Sequence, residues 1–164
     1  PGLGKKRLFT EYRELTRNPP EGVTAGPIDE KNLYKWEALL LGPDDTPFEG
    51  GCFRAELTFP ESYPLNPPRM RFDPPVFHPN VYPTGKVCLS ILNEEKGWKP
   101  SVSIKQILVG VQELLDSPNM CDPAQAEAYD QLRRSKAKYV KRVKEQAKRY
   151  GSHSGGAGDE IIVL

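Results

Sequence analysis

Residues 77–92 read FHPNVYPTGKVCLSIL, and they divide the chain into a part with strand-like patterns and a part with helical patterns. From residue 74 to residue 100, apolar side chains such as Phe77, Val87 and Trp98 recur without the spacing of a helix or a strand. A long apolar connection of this kind is uncommon in a compact domain and is often functional where it occurs. We therefore expect the functional site in this segment.

The residues before this segment predict one helix and an antiparallel meander. Helical spacing of apolar residues runs over residues 4–17, and the two prolines at 19 and 20 end it. Strand-like runs follow at residues 23–25, 33–41, 52–59 and 69–72. The connections are dense in Gly, Pro and Asp, which is typical of turns between neighbouring antiparallel strands.

The residues after the segment predict three helices. Residues 104–115 place apolar side chains on one face of a buried helix, with Ser101 or Ser103 as its cap. A second helix is predicted to begin near Asp122, with Pro123 at its first helical position. A last helix is marked by the stripe Tyr139, Val140, Val143 and Ala147. The predicted fold class is therefore α+β: a helix, a four-stranded antiparallel meander, an irregular loop, then three helices.

Length and composition predict one soluble domain. The chain has 164 residues, of which 37% are hydrophobic and 27% charged. No apolar run is long enough for a membrane span, and the basic N-terminus lacks the apolar stretch of a secretory signal. We expect one domain over residues 1–150, a flexible linker over 151–158 and a short tail over 159–164. A monomer of the cytoplasm and nucleus is expected.

The charge is unevenly distributed along the chain. The net charge is +1, yet residues 133–149 hold nine Lys or Arg against one acid, Glu145. Such a run favours a solvated helix face over nucleic-acid binding. The three cysteines are an odd set without an export signal, which favours reduced thiols over disulfides. His78 and His153 form no zinc-ligand pattern with the cysteines, so no metal is expected.

Cys88 is the cysteine whose position best suits a reaction, because it lies in the irregular segment eight residues after Asn80. Cys52 has the flanks of an inert core cysteine, and Cys121 precedes a helix. The one candidate base nearby, His78, is confined by its neighbours, which weakens a protease interpretation. A cysteine without a strong base suffices if its acyl group is already activated as a thioester and an oxyanion is stabilised. Asn80 is either that oxyanion donor or a turn residue.

The segment closely resembles the active-site signature of ubiquitin-conjugating enzymes, in which a His-Pro-Asn tripeptide is followed by the thioester cysteine. The turn YPLNPP from Tyr63 and the pair Trp98 and Pro100 add to the resemblance, which covers about residues 4–150. It implies a modifier protein carried as a thioester on Cys88, received from an activating enzyme and passed to a lysine, with the help of a ligase. ATP is used by the activating enzyme, so no cofactor is implied here.

The resemblance also implies roles for individual residues. Cys88 would be the nucleophile, and Asn80 would stabilise the oxyanion or the loop that forms it. His78 and Pro79 would be structural parts of the active site. Tyr82 and Asp122 match the positions that prepare the attacking lysine by desolvation and orientation.

From residue 77 onward, the best resemblance is to SUMO-conjugating enzymes, through VCLSIL, WKP, IKQIL, PN and DPAQAEAY. In those enzymes the surface around the cysteine reads an acceptor motif: a hydrophobic residue, Lys, any residue, then an acid. The corresponding positions here are Arg69, Arg71, Tyr82, Thr84, Lys86, Asp122, Pro123, Ala124, Gln125, Ala126 and Tyr129. The cations among them, Arg69, Arg71 and Lys86, would receive the acidic residue of the acceptor.

Residues 18–51 look more like the ubiquitin-carrying relatives and lack the short insertion that SUMO enzymes have before the second strand. The first helix is also less basic than in SUMO enzymes. Its candidates for binding the modifier and the activating enzyme are Lys5, Lys6, Arg13 and Arg17. SUMO is the favoured modifier, and ubiquitin is the alternative. A non-catalytic modifier-binding scaffold is less favoured, because such variants lack the cysteine.

The final run, DEIIVL, has two acids followed by four β-prone apolar residues. Those apolar residues are Ile161, Ile162, Val163 and Leu164. They resemble a SUMO-interacting motif, in which an extended peptide adds to a sheet edge. A PDZ-type ligand is a weaker alternative, and the preceding GSHSGGAG equally suits a linker with a disordered or artificial end.

Overall fold

The computed structural model describes residues 2–151 and confirms the predicted order of a helix, four strands and three helices. The elements are α1 (Gly2–Arg17), β1 (Val23–Asp29), β2 (Asn32–Leu41), β3 (Cys52–Thr58), β4 (Arg69–Phe72), α2 (Ile104–Asp116), α3 (Ala126–Arg134) and α4 (Lys136–Gly151). A short 3₁₀ helix covers Ser90–Leu92, within the irregular segment. Residues 152–164 lie outside the described residues, so the predicted linker beyond Gly151 and the SUMO-binding role of the tail stay predictions.

The four strands form an antiparallel meander in the order β1-β2-β3-β4. In β3, the buried side chains of Phe53, Ala55 and Leu57 alternate with the half-buried Arg54 and Glu56. This alternation was the sequence signal for the strand, because successive side chains of a strand point to opposite faces. β1 is longer than the run predicted at residues 23–25, since its pairing with β2 continues to the turn.

The central helix, α2, lies in the core with one fully buried apolar face. Its N-cap is Ser103, whose hydroxyl accepts a hydrogen bond from the backbone N–H of Gln106, while the Gln106 side chain accepts one from the Ser103 N–H. Glu11 of α1 adds a further contact, because its carboxylate accepts the backbone N–H of Ile104 at 2.7 Å. Three of the N–H groups that a helix start leaves without helical partners are thereby satisfied.

The prediction that the next helix begins near Asp122 is wrong, because α3 begins at Ala126. The N–H groups of Ala124 and Gln125 donate to the carbonyl oxygen of Pro79, at 2.7 and 3.3 Å. These contacts pin the residues after Asp122 to the irregular segment. Tertiary contacts thus override the local Asp-Pro signal for a helix start. Within residues 2–151, no helix is long and apolar enough to cross a membrane.

Candidate active site

The irregular segment is held against β4 and against itself by backbone hydrogen bonds. Val81 and Val87 form an antiparallel bridge, and the Val87 N–H donates to the Met70 carbonyl of β4 at 2.9 Å. The Cys88 N–H donates to the carbonyl of Asn80 at 2.8 Å. The loop therefore fixes the backbone of Cys88 beside the His-Pro-Asn tripeptide, just before the 3₁₀ helix.

His78 is fully buried and links this loop to α2. Its Nδ1 accepts the backbone N–H of Asn80 at 2.9 Å, so the ring proton belongs on Nε2, which donates to the Leu114 carbonyl at 2.7 Å. Burial lowers the pKa of His78 to about 4, although the carbonyls of Leu114 and Leu115 oppose that shift. The neutral His78 ring thus connects the irregular segment to α2. Pro79, the next residue, is also buried.

The Asn80 side chain holds a second loop, residues 119–122, against the loop of Cys88. Its Nδ2 donates to the carbonyls of Asn119 and Asp122 at 2.8 and 3.0 Å, and its Oδ1 accepts the Asn119 N–H at 2.8 Å. The side chain is buried. Of the two roles considered for Asn80, these contacts favour support of the loop.

Cys88, Asp122 and Lys96 form a chain of polar contacts at the mouth of the site. The Cys88 Sγ lies 3.7 Å from Asp122 Oδ2, and Lys96 Nζ lies 3.1 Å from the same oxygen. Partial burial raises the pKa of the Cys88 thiol, and the negative charge and hydrogen bond of Asp122 raise it further, while Lys96 and Tyr82 lower it. Lys96 in turn lowers the pKa of the Asp122 carboxyl group. At neutral pH the thiol is therefore protonated beside an ion pair.

A groove surrounds the thiol and gathers part of the predicted acceptor-binding surface. Its lining includes Arg69, Tyr82, Lys86, Cys88, Lys96 and Asp122. Because Arg69, Lys86 and Lys96 are cations, the groove can present positive charge to an acidic segment while a lysine of the same segment approaches the thiol.

Among residues 2–151, no group of three or more His, Cys, Asp and Glu side chains is placed to hold a metal ion.

The other predicted acceptor-binding residues flank the groove or support it. Arg71 pairs with Glu56 at 3.2 Å and lies beside Lys86 through an antiparallel bridge. The guanidinium of Arg133 lies 5.5 Å from the Tyr129 ring centroid. Thr84, Pro123 and Ala126 are exposed, and Ala124 is half-buried.

Two residues have contacts that sequence reasoning missed. The resemblance implies only acceptor binding for Gln125, but its amide nitrogen donates to the carbonyls of Val81 and Val76 at 2.8 and 3.3 Å and so supports the loop. The contact of Lys96 with Asp122 joins positions 26 residues apart, so the sequence does not predict it. Nothing in the local pattern indicates such a contact.

The four basic residues proposed to bind the modifier lie elsewhere. Lys5, Lys6, Arg13 and Arg17 are all exposed on α1. Within the described residues, none of them lines the groove of Cys88. A contact through α1 would therefore be separate from the chemical site.

Comparison with known proteins agrees with this arrangement. The family model described as ubiquitin-conjugating enzyme matches residues 7–147. The chain belongs to the ubiquitin-conjugating enzyme family. This conjugating enzyme is 46% identical over 155 residues to the SUMO-conjugating enzyme UBC9 of Caenorhabditis elegans, an alignment that covers 92% of this chain and 93% of the relative.

Ubiquitin-conjugating enzyme E2 G2 is nearly as similar. The human and mouse proteins of that name are each 44% identical over 155 residues, covering 88% of the conjugating enzyme described here and 94% of the relative. Because 46% and 44% are almost equal, overall identity favours neither SUMO nor ubiquitin as the modifier.

Proposed function

We propose that this enzyme accepts SUMO from an activating enzyme as a thioester on Cys88 and transfers it to lysine side chains, forming isopeptide bonds. The observation that carries the proposal is the Cys88 thiol, 3.7 Å from the Asp122 carboxylate, in a groove with Tyr82 and the cations Arg69 and Lys86. An accessible thiol supplies the nucleophile, and the groove supplies a place for the amine.

The protonation states of the site are compatible with a thioester carrier. The raised pKa of Cys88 keeps most of the empty thiol protonated, so loading proceeds through the small thiolate fraction, which attacks the thioester that the activating enzyme presents. Transfer then needs an oriented and neutral amine rather than a strong base. The Asp122 carboxylate, half exposed beside Cys88, provides a hydrogen-bond acceptor for an incoming lysine, and Tyr82 covers the adjacent wall of the groove.

The choice of SUMO rests on the acceptor side of the site. Arg69 and Lys86 line the groove with the thiol, and Arg71 lies beside Lys86. An acceptor segment with an acidic residue two positions after its lysine would place that acid against these cations while the lysine meets Asp122. The enzyme would then read its substrates directly, with a ligase as a further partner.

Ubiquitin is the second candidate modifier. It is favoured by residues 18–51, which look more like ubiquitin-carrying relatives, and the 44% identity to ubiquitin-conjugating enzyme E2 G2 is compatible with it. A non-catalytic scaffold explains less, because it has no use for a half-buried thiol beside a carboxylate. The proposal has the enzyme act as a monomer in cytoplasm and nucleus, with ATP used only by the activating enzyme.

The test is a charging assay with SUMO and ubiquitin in parallel, each with its own activating enzyme and ATP. We expect a reductant-sensitive adduct with SUMO that is absent from Cys88→Ala and present in Cys52→Ala and Cys121→Ala. An adduct that persists in Cys88→Ala would exclude the assignment of the nucleophile. Loading with ubiquitin alone would reverse the choice of modifier and keep the rest of the mechanism.

A further inference from the structure

Lys96 lies on a rigid turn next to the active-site groove. The Asn93 carbonyl accepts the N–H groups of Lys96 and Trp98 at 3.1 and 3.0 Å. Trp98 is buried, and its indole N–H donates to the carbonyls of Pro64 and Leu65 at 3.1 and 3.0 Å. The backbone from which the Lys96 side chain extends is thus fixed to the body of the domain.

The side chain of Lys96 reaches the place that an acceptor lysine needs. Its Nζ lies 3.1 Å from Asp122 Oδ2, and the same oxygen lies 3.7 Å from the Cys88 Sγ. The distance from Lys96 Nζ to Cys88 Sγ is therefore no greater than the sum of these two distances. The lysine is also 56% exposed, so its side chain has room to move toward an acyl group on that sulfur.

We infer that Lys96 is an acceptor for the thioester of its own enzyme. When no substrate lysine occupies the groove, the modifier passes from Cys88 to Lys96 within one molecule and remains attached by an isopeptide bond. This inference rests on the proposed function, because it requires a thioester on Cys88. It assigns a modification site within the groove itself.

The transfer balances in atoms and charge. The Lys96 ammonium first releases one proton to solvent, and the neutral Nζ attacks the thioester carbonyl carbon. An N–C bond forms, the C–S bond breaks, and its electron pair leaves with the Cys88 sulfur. The second proton of the attacking nitrogen passes to the departing thiolate, so the products are an isopeptide, a free thiol and one proton. No oxidant, metal or nucleotide takes part.

The surrounding charges make this transfer slow at neutral pH. The hydrogen bond and negative charge of Asp122 raise the pKa of Lys96, and Cys88 and Tyr82 act in the same direction. The other charged side chains that line the groove are those of Arg69, Lys86 and Glu94. Because Lys96 is mostly an ammonium below its pKa, the rate should rise about tenfold per pH unit there. Proximity to the thioester compensates for the small neutral fraction.

The experiment is a single-turnover chase without substrate. Cys88 is loaded with modifier, ATP is removed, and the reductant-resistant adduct is followed at pH 7 and pH 8. We expect first-order formation at a rate independent of enzyme concentration, about tenfold faster at pH 8. Peptide mass spectrometry should map the branch to Lys96.

Two lysine variants provide the comparison. Lys96→Arg keeps the positive charge beside Asp122 and removes the acceptor, so the cis adduct per loaded enzyme should fall at least about tenfold. Lys99→Arg is the matched control, because Lys99 is exposed in the same stretch and does not line the groove. It should form the adduct at the parental rate.

Three results would overturn the inference: an undiminished adduct in Lys96→Arg, a branch mapped to another lysine, or a rate proportional to enzyme concentration. A Cys88 thioester that forms and yields no adduct over hours would also exclude it and leave the proposed function standing. If Cys88 loads with neither modifier, the proposed function fails, and this inference fails with it.

Discussion

Two opposite charges act on the Cys88 thiol: the Asp122 carboxylate beside it and the Lys96 ammonium that is paired with the same carboxylate oxygen. Asp122 raises the pKa of the thiol, and Lys96 lowers it. Removing the negative charge in Asp122→Asn should therefore lower the pKa of Cys88, and removing the positive charge in Lys96→Met should raise it. The rate of iodoacetamide alkylation against pH, with Cys52 and Cys121 replaced by Ser, measures both shifts. Equal midpoints in the three proteins would show that Asp122 and Lys96 do not affect the thiol.

We expect Asn80 to support transfer through the loop that carries Asp122. Asn80→Ala removes the hydrogen bonds that its side chain makes with residues 119–122. Discharge of the modifier to free lysine should fall, by about 10²-fold or more if Asn80 also donates to the oxyanion, while loading of Cys88 changes little. Faster hydrogen exchange at Asn119, whose N–H is bonded to Asn80, would identify loop support as the cause. Discharge at the parental rate would remove Asn80 from the mechanism.

His78 should make the stability of the domain depend on pH. Its pKa falls from an ordinary 6.5 to about 4 on folding, so the unfolded chain binds a proton between those values and the folded chain does not. The contribution of the neutral His78 to the free energy of unfolding is then present in full above about pH 6.5 and is lost as the pH falls toward 4. The free energy of unfolding should fall by about 2 kcal/mol between pH 7 and pH 5. Urea unfolding measures this loss.

His78→Gln is the control for that measurement. It should be less stable at pH 7 and show a correspondingly smaller loss between pH 7 and pH 5. His153 is common to both proteins and cancels in the comparison. An equal loss in both proteins would mean that the buried imidazole is not the group that titrates.

Among the elements, α2 has the clearest local determinants. The Ser103 hydroxyl accepts the Gln106 N–H at 3.0 Å as the N-cap. Ser103→Ala should reduce the free energy of unfolding by about 1 kcal/mol, because that N–H loses its partner. Ser101→Ala, two residues earlier and exposed, should change it little. Chemical denaturation measures the free energy of unfolding of both variants. An equal decrease in the two would show that the loss of the N-cap hydrogen bond is not the cause.

Elements were predictable where their signals are local. The apolar period of α2 and the serine before it gave the position of that helix within a residue. The start of α3 was mispredicted because Asp122 and Pro123 look like a helix start, while their neighbours donate to the distant Pro79 carbonyl. The full length of β1 depends on its pairing with β2, which no local pattern contains.

At the scale of the whole molecule, the sequence predicted Cys88 as the nucleophile beside its tripeptide, but it did not predict the contacts that connect these residues to the rest of the protein. Asn80 and Cys88 lie in one segment, so their relation was visible in the spacing. The contacts of Asn80 with residues 119–122 join positions 39 to 42 apart. Such contacts form only when the helical half packs on the sheet, so they are a property of the fold.

The strand order has a consequence for the sequence in which the parts of the protein fold. Each strand pairs with its neighbour in the chain, whereas His78 reaches the Leu114 carbonyl over 36 positions. Closing longer loops costs more entropy, so the hairpins should form before α2 docks. The contacts that join the irregular segment to α2 would then form after the hairpins. In refolding experiments with pulsed hydrogen exchange, the N–H groups of Asn80 and Asn119 should become protected after the β2 and β3 amides, and simultaneous protection would contradict this order.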